Sequence, residues 1–353
     1  MKRITVNRRK LVWRGVALLG LCSAVLLFAA NFQLTPVATG NVQKDSWPNG
    51  NIAWSLNPSN GIVYSGAGTP AGESALQSAL TTAFNLWQNA QYQSTNVNTL
   101  NFTEGANNTN NSFNLSDCTN SIGFTQNLGT GIIAEAQVAT SFTTPITTGF
   151  SFCAGKPNAG TCPKEICISD ADIQFNTAYN FYILSFTNPT SGYYDFQTVA
   201  THEIGHLFGL DHSGLANAVM FPYGDSGTGG IVHALSLDDT IGSAVLYPNG
   251  SIASMQGQIQ GTVTVGGNPA FAAHVVAIDA ATGNVVTDTL ADNTGKYSLQ
   301  VFQGNYYVLT LPLAIDTSGD STSNGVTTIN NYNGFRSGYP SSTAVTNFTG
   351  KFY

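Results

Sequence analysis

Apolar positions recur along this chain with two periods, and the alternation between them predicts its elements. Ile52, Trp54 and Leu56 alternate with polar residues, which predicts a half-buried strand. After Pro70, Leu76, Leu80, Phe84 and Trp87 fall on one face of a helix, and Pro70 suits the approach to a helix start. Alternating runs near 121–139 and 168–176 predict further strands. The stretch 104–117, rich in Asn, predicts an exposed loop. Phe196, Val199, Ala200, Ile204 and Leu207 return to helical spacing, with Asp195 placed to cap the first free N–H groups. A closing helix is predicted over 237–247, where Ser236 and Asp239 make a capping-box-like start. Beyond Pro248 short β-rich runs alternate with turn residues as far as Leu313, and residues 314–353 are polar.

This order of elements predicts an α+β fold followed by a small all-β unit. The divisions read as a leader at 1–30, a polar spacer at 31–44, a main domain at 45–250, a β-sandwich at 255–313, and a polar linker or tail at 314–353. Six of the twelve Lys and Arg lie in the first fourteen residues, ahead of an apolar run from Val16 to Ala30. That is the pattern of an export signal, cleaved near Ala29 or Ala30, with an uncleaved anchor as the competing reading. Past the leader, six basic residues face nineteen acidic ones, a net charge of −13 that argues against nucleic-acid binding. Cys118, Cys153, Cys162 and Cys167 are an even set beyond the leader, which predicts two disulfides with the pairing open and agrees with a secreted or extracellular protein.

The chemistry concentrates in HEIGHLFGLDH, from His202 to His212. Residues four apart on a helix share a face, so His202 and His206 can bind one metal ion. Glu203 adjoins the first ligand and can reach a water at the metal's open position. Gly209 permits a left-handed exit that swings His212 back as a third ligand. Three neutral nitrogens leave a fourth position for water, the catalytic arrangement of zinc. Met220 follows eight residues on and, taken alone, reads as core.

The extended stretch YDFQTVATHEIGHLFGLDHSGLANAVMFPYGD, followed by LSLDDTIGSAVLYP, resembles the matrixin branch of the metzincin zinc peptidases. Ser213 directly after His212 is the matrixin choice, and the resemblance implies that Met220 forms the methionine turn a metzincin needs beneath its zinc ligands. WPNGNIAWSL, SALQSALTTAFNLW, NSIGFTQ, GIIAEAQV and ADIQFN are similar to the family's earlier strands and first helix, so the resemblance covers about 45–248. It implies a twisted, mostly parallel sheet with three helices. It also implies an endopeptidase cutting protein or peptide substrates through a zinc-bound water, with Glu203 as general base. The resemblance puts Pro222, Tyr223 and the loop to His233 beside the primed-side specificity pocket, against the plainer reading of His233 as an ordinary loop histidine. It has the pair Asp238 and Asp239 brace the site from behind, against the plainer reading of solvated helix-start acids. Calcium is a second expected ion, near Asp170, Asp172 and Asp225, although no motif fixes its ligands. No cysteine-switch segment is visible, and His233 and His274 are too few for a second zinc site. Asp45, ahead of the first strand, is either a zinc-blocking acid in a precursor or a solvated one.

The run from Gln256 to Leu311 resembles the carboxypeptidase-regulatory-like, prealbumin-like sandwich, a spacer or binding module. A monomer is expected, with no membrane span once the leader is removed. The competing expectation is a catalytically silent matrixin-like protein that attaches to a surface.

Overall fold

The computed structural model describes residues 31–37, 42–59, 61, 63–64, 69–110, 112–126, 128–143, 146–183, 192–224, 226, 232–250, 252–314 and 327–353, with the backbone of Ile4–Val6. The expected leader core, Asp225 and the first part of the expected linker lie outside them.

Five strands build the main sheet: β1 (Asn51–Leu56), β2 (Asn101–Glu104), β3 (Asn120–Thr125), β4 (Ala134–Ser141) and β5 (Cys167–Asn176). Their order is β4-β5-β3-β1-β2, antiparallel between β4 and β5 and parallel elsewhere. The sheet is therefore mostly parallel, as the resemblance implies. β5 is buried along its whole length, while β4 lies at the sheet edge and is half-buried throughout.

Three helices accompany this sheet: α1 (Glu73–Gln88), α2 (Phe196–Leu207) and α3 (Leu237–Leu246). Leu76, Leu80, Phe84 and Trp87 form the buried stripe of α1 at the spacing the sequence predicts. Trp54 of β1 stacks on Phe84, with ring centroids 4.6 Å apart. Phe196 at the start of α2 packs among Phe124, Phe175 and Phe181. Two tryptophans then fix α2 by hydrogen bonds as well as by area. The Trp87 indole N–H donates to Thr201 O (2.8 Å), and that of Trp47 donates to Leu207 O (3.0 Å). Burying an indole costs little when its one donor is satisfied, so these rings supply core volume and positional restraint together.

The β-rich region comprises β6 (Gln256–Thr262), β7 (His274–Asp279), β8 (Val285–Leu290), β9 (Lys296–Phe302) and β10 (Gly304–Leu311). Antiparallel β8-β7-β10 form one sheet, which Ile4–Val6 and Lys351–Phe352 extend at β10, and β6 pairs with β9. Alternate residues such as Ile259, Val275, Ala277, Leu299, Val301 and Val308 make its core.

Two segments depart from expectation. The described residues of the stretch 31–44, expected as a polar spacer, fold against the main body: Leu34–Pro36 pairs with Val42–Lys44, and Phe32 and Leu34 are buried. Thr327–Tyr353, the second half of the expected linker or tail, is folded as well. It contains a short helix α4 (Asn333–Gly338), and Tyr332 and Phe335 are buried in the main hydrophobic core. Phe335 stacks on Phe271 of the β-rich region (5.6 Å). Both segments are polar overall, yet a few large apolar side chains suffice to dock them.

Both disulfides are present. Cys118 bonds to Cys153, and Cys162 bonds to Cys167. The first ties the Asn-rich loop to the segment preceding β5.

Candidate metal centre

The local sequence places the first two histidines with little outside help. Asp195 caps α2 as expected: its carboxylate accepts the Thr198 N–H (2.8 Å) and the Thr198 hydroxyl (2.6 Å). The helix runs from Phe196 through Leu207, so His202 and His206 project from successive turns of one face. Gly209 then takes φ = +116°, and a Cβ there would lie 2.3 Å from Asp45 O. Only glycine fits, both for the backbone conformation and for the close approach of the N-terminal segment.

The turn returns His212 to the helix. His206 Nε2 lies 3.1 Å from His202 Nε2 and 3.2 Å from His212 Nε2. Tetrahedral zinc with Zn–N bonds of about 2.0–2.1 Å separates its ligand nitrogens by about 3.3 Å, so this spacing fits the ion. The opposite ring nitrogens reinforce the fit. Nδ1 of His202 meets Val219 O (2.7 Å), Nδ1 of His206 meets Leu210 O (2.8 Å), and Nδ1 of His212 meets Asn331 O. A carbonyl oxygen only accepts, so each Nδ1 carries the proton and each Nε2 presents a lone pair inward. Burial also keeps the rings neutral. It lowers the pKa of all three, that of His212 to about 3, with the neighbouring histidines adding to the effect for His206 and His212.

Glu203 is buried between α2 and the edge strand β4. Burial pushes its carboxyl up to about 8, while the Ala136 N–H of β4 donates to it and Glu135 adds a smaller upward push. A nearby dication favours the ionised form of such a group.

Met220 is buried within the turn that follows His212. A Cβ on Gly205 would lie 2.2 Å from its Sδ, so the thioether packs on α2 at Gly205, next to His206 in the chain. Asp239 holds this turn from behind. Its carboxylate accepts the N–H groups of Val219 (2.8 Å), Met220 (3.1 Å) and Ser236 (2.8 Å). Val219 in turn receives His202 Nδ1, so a chain of contacts runs from α3 to the first histidine. Asp238 faces the other way and accepts the Thr287 hydroxyl (2.8 Å) and the Asp288 N–H (3.1 Å) of β8. Both acids are buried, which rules out the reading of solvated helix-start acids.

The remaining sequence candidates separate. Tyr223 stays near the centre, its hydroxyl donating to Asn331 Oδ1 (3.2 Å), and Pro222 is half-buried beside it. His233 instead donates through Nε2 to Asp195 (2.7 Å) and so supports the cap of α2. His274 donates to Asp288 (2.6 Å). Asp45 is buried and accepts the Thr35 hydroxyl (2.9 Å), which replaces both readings offered for it. Asp170 and Asp172 are buried beneath the Asn-rich loop, where they accept the N–H groups of Cys118 and of Asn114 and Ser121. Asn331 had no signal in the sequence beyond a local Thr328-x-x-Asn331 cap, and its approach to His212 spans 119 positions.

Comparison with known proteins agrees with this geometry. Among curated proteins, the chain is similar to Metalloendoproteinase 5-MMP of Arabidopsis thaliana, 43% identical over 65 residues that make up 18% of each chain. It is also similar to Karilysin of Tannerella forsythia, 45% identical over 53 residues, 15% of this chain and 10% of that one. These alignments thus span under a fifth of either relative. The family model described as Matrixin matches residues 47–248, more than half of the chain, and its span contains the main sheet, all three long helices and the three converging histidines: this chain belongs to the matrixin family.

Proposed function

We propose that the chain is a secreted zinc-dependent endopeptidase, with His202, His206 and His212 as the zinc ligands and Glu203 as general base. One observation carries this reading. Three Nε2 atoms converge at 3.1 and 3.2 Å, each ring is oriented by a carbonyl behind it, and a buried carboxylate stands next to the first ligand in the chain. Bound zinc supplies an acidified water and a Lewis acid for the scissile carbonyl. Glu203 accepts the proton of the attacking water and passes it to the leaving amine. Its buried setting between α2 and β4 keeps bulk water from competing for that proton.

β4 pairs only with β5 among the described strands, so its other edge is available to an extended peptide. A substrate added there runs past Ala136, whose N–H holds Glu203. Pro222 and Tyr223 are assigned to the wall of the primed-side pocket, and Met220 to the floor of the metal site. His233 is read through its hydrogen bond to Asp195, as support for the cap of α2. Calcium is assigned to the region of Asp170 and Asp172, and a monomer remains the expected state. Residues 45–250 are read as the peptidase unit and 255–313 as a prealbumin-like module. Two disulfides and the acidic mature charge support an extracellular location.

The test is cleavage of a proteome-derived peptide library by the purified chain lacking its leader. Cleavage that a chelator abolishes and zinc restores is the expected result. A zinc-loaded chain that cuts no peptide or protein substrate would leave it a binding protein.

A further inference from the structure

The two helical histidines are oriented by carbonyls at Val219 and Leu210, within twenty residues of them. His212 is oriented from much farther away, by the backbone carbonyl of Asn331. Three features make that carbonyl a built contact. Asn331 is buried, and its side-chain Oδ1 accepts the Thr328 N–H (2.8 Å) and the Tyr223 hydroxyl (3.2 Å), which fixes the turn presenting the carbonyl. Asp211, the neighbour of His212, accepts the Phe335 N–H (2.6 Å) and the His212 N–H (2.8 Å), so the same C-terminal segment grips the ligand loop twice. Phe335 anchors the segment by stacking on Phe271. On the far side of the loop, Asp288 of β8 accepts the Ser213 hydroxyl (3.1 Å) and the Gly214 N–H (2.9 Å).

We propose that Asn331 is a positioning residue of the zinc site: it orients His212 through its carbonyl and, through its side chain, couples that ligand to Tyr223 in the pocket wall. This rests on the zinc-peptidase reading above. It makes the C-terminal segment a working part of the metal centre, and it predicts that metal affinity and substrate fit change together when the segment is disturbed. Partners that orient a ligating histidine commonly affect metal affinity or activity by about 10–100-fold.

The experiment uses the full chain without its leader and measures zinc affinity by chelator competition. It also records imidazole nitrogen NMR of the zinc form and KM for a library-derived peptide. Asn331→Ala is expected to weaken zinc by about 10–100-fold, to perturb the His212 ring signals while those of His202 stay in place, and to raise KM. Asn331→Asp keeps an acceptor for Thr328 and Tyr223 and is expected to restore all three readouts. Wild-type zinc affinity in folded Asn331→Ala overturns the proposal. If circular dichroism shows that Asn331→Ala does not fold, Tyr223→Phe decides. That variant removes only the hydroxyl, so weaker zinc binding supports the coupling and unchanged binding overturns it. A wild-type chain that binds no zinc removes the peptidase reading itself, an outcome distinct from equal binding by wild type and variant.

Discussion

The metal centre has two halves that are built differently. His202 and His206 sit on a capped helix whose faces are packed by Trp87, Phe196 and Met220, and their spacing is set by the helical repeat. His212 sits on a loop held by the Asn31 carbonyl, which accepts the Asp211 N–H (2.8 Å), by Asn331 and Phe335 near the other end of the chain, and by Asp288 of β8. A helix fixes a side chain through bonds to residues three or four away. A loop must borrow that rigidity from the rest of the fold. In this protein the lender lies largely outside the segment that the family model matches.

The largest expected effect tests the helical half alone. Glu203→Ala should keep zinc and lose about 100-fold or more in peptide hydrolysis, because a positioned general base contributes about 10²–10⁴-fold. Equal turnover in a fluorogenic-peptide assay would contradict the role assigned to Glu203. The loop half is tested by Phe335→Ala, which should destabilise the chain by about 3–5 kcal/mol in urea unfolding. If the two halves differ as described, this variant also loses zinc in the folded state. Gly205→Ala probes the helix from within. The added methyl has to displace Met220, at a cost of about 1–3 kcal/mol for an overpacked core, read as a lower urea midpoint. Such a loss without any fall in zinc affinity would show that the helical pair tolerates a shifted methionine turn. Ser213→Ala is the mildest change. It removes one hydroxyl from Asp288 and should cost about 0.5–1.5 kcal/mol. A zinc affinity matching wild type would leave the Gly214 N–H as the contact that holds the loop to β8.

The features legible in the sequence are those generated by short-range rules. The apolar stripe of α1, the Asp195 cap, the Ser236–Asp239 capping box, the positive φ of Gly209 and the alternation in β1 each depend on residues within a few positions of one another. The docking of segments 31–37, 42–44 and 327–353 is not legible in the sequence for the converse reason. Their apolar residues are too few to show a period, and Phe32, Leu34, Tyr332 and Phe335 become informative only once a surface exists to receive them. His233 shows a related limit. It lies in the loop that the family resemblance assigns to the pocket, and the tertiary contact that its ring makes, a hydrogen bond to the Asp195 carboxylate (2.7 Å), is with a residue 38 positions away.

The sequence by itself determined the donor set, the helix that carries two of its members and the glycine that lets the third return, because spacing and backbone stereochemistry are properties of neighbouring residues. Only the tertiary structure decided which groups orient those donors: Val219 and Leu210 for the helical pair, Asn331 for His212, Ala136 for Glu203 and Asp239 for the turn at Met220. Most of these contacts are made by backbone N–H and C=O groups. Every non-proline residue carries both, so nothing in a residue's identity marks which of them will face the metal, and the choice is made when distant segments pack.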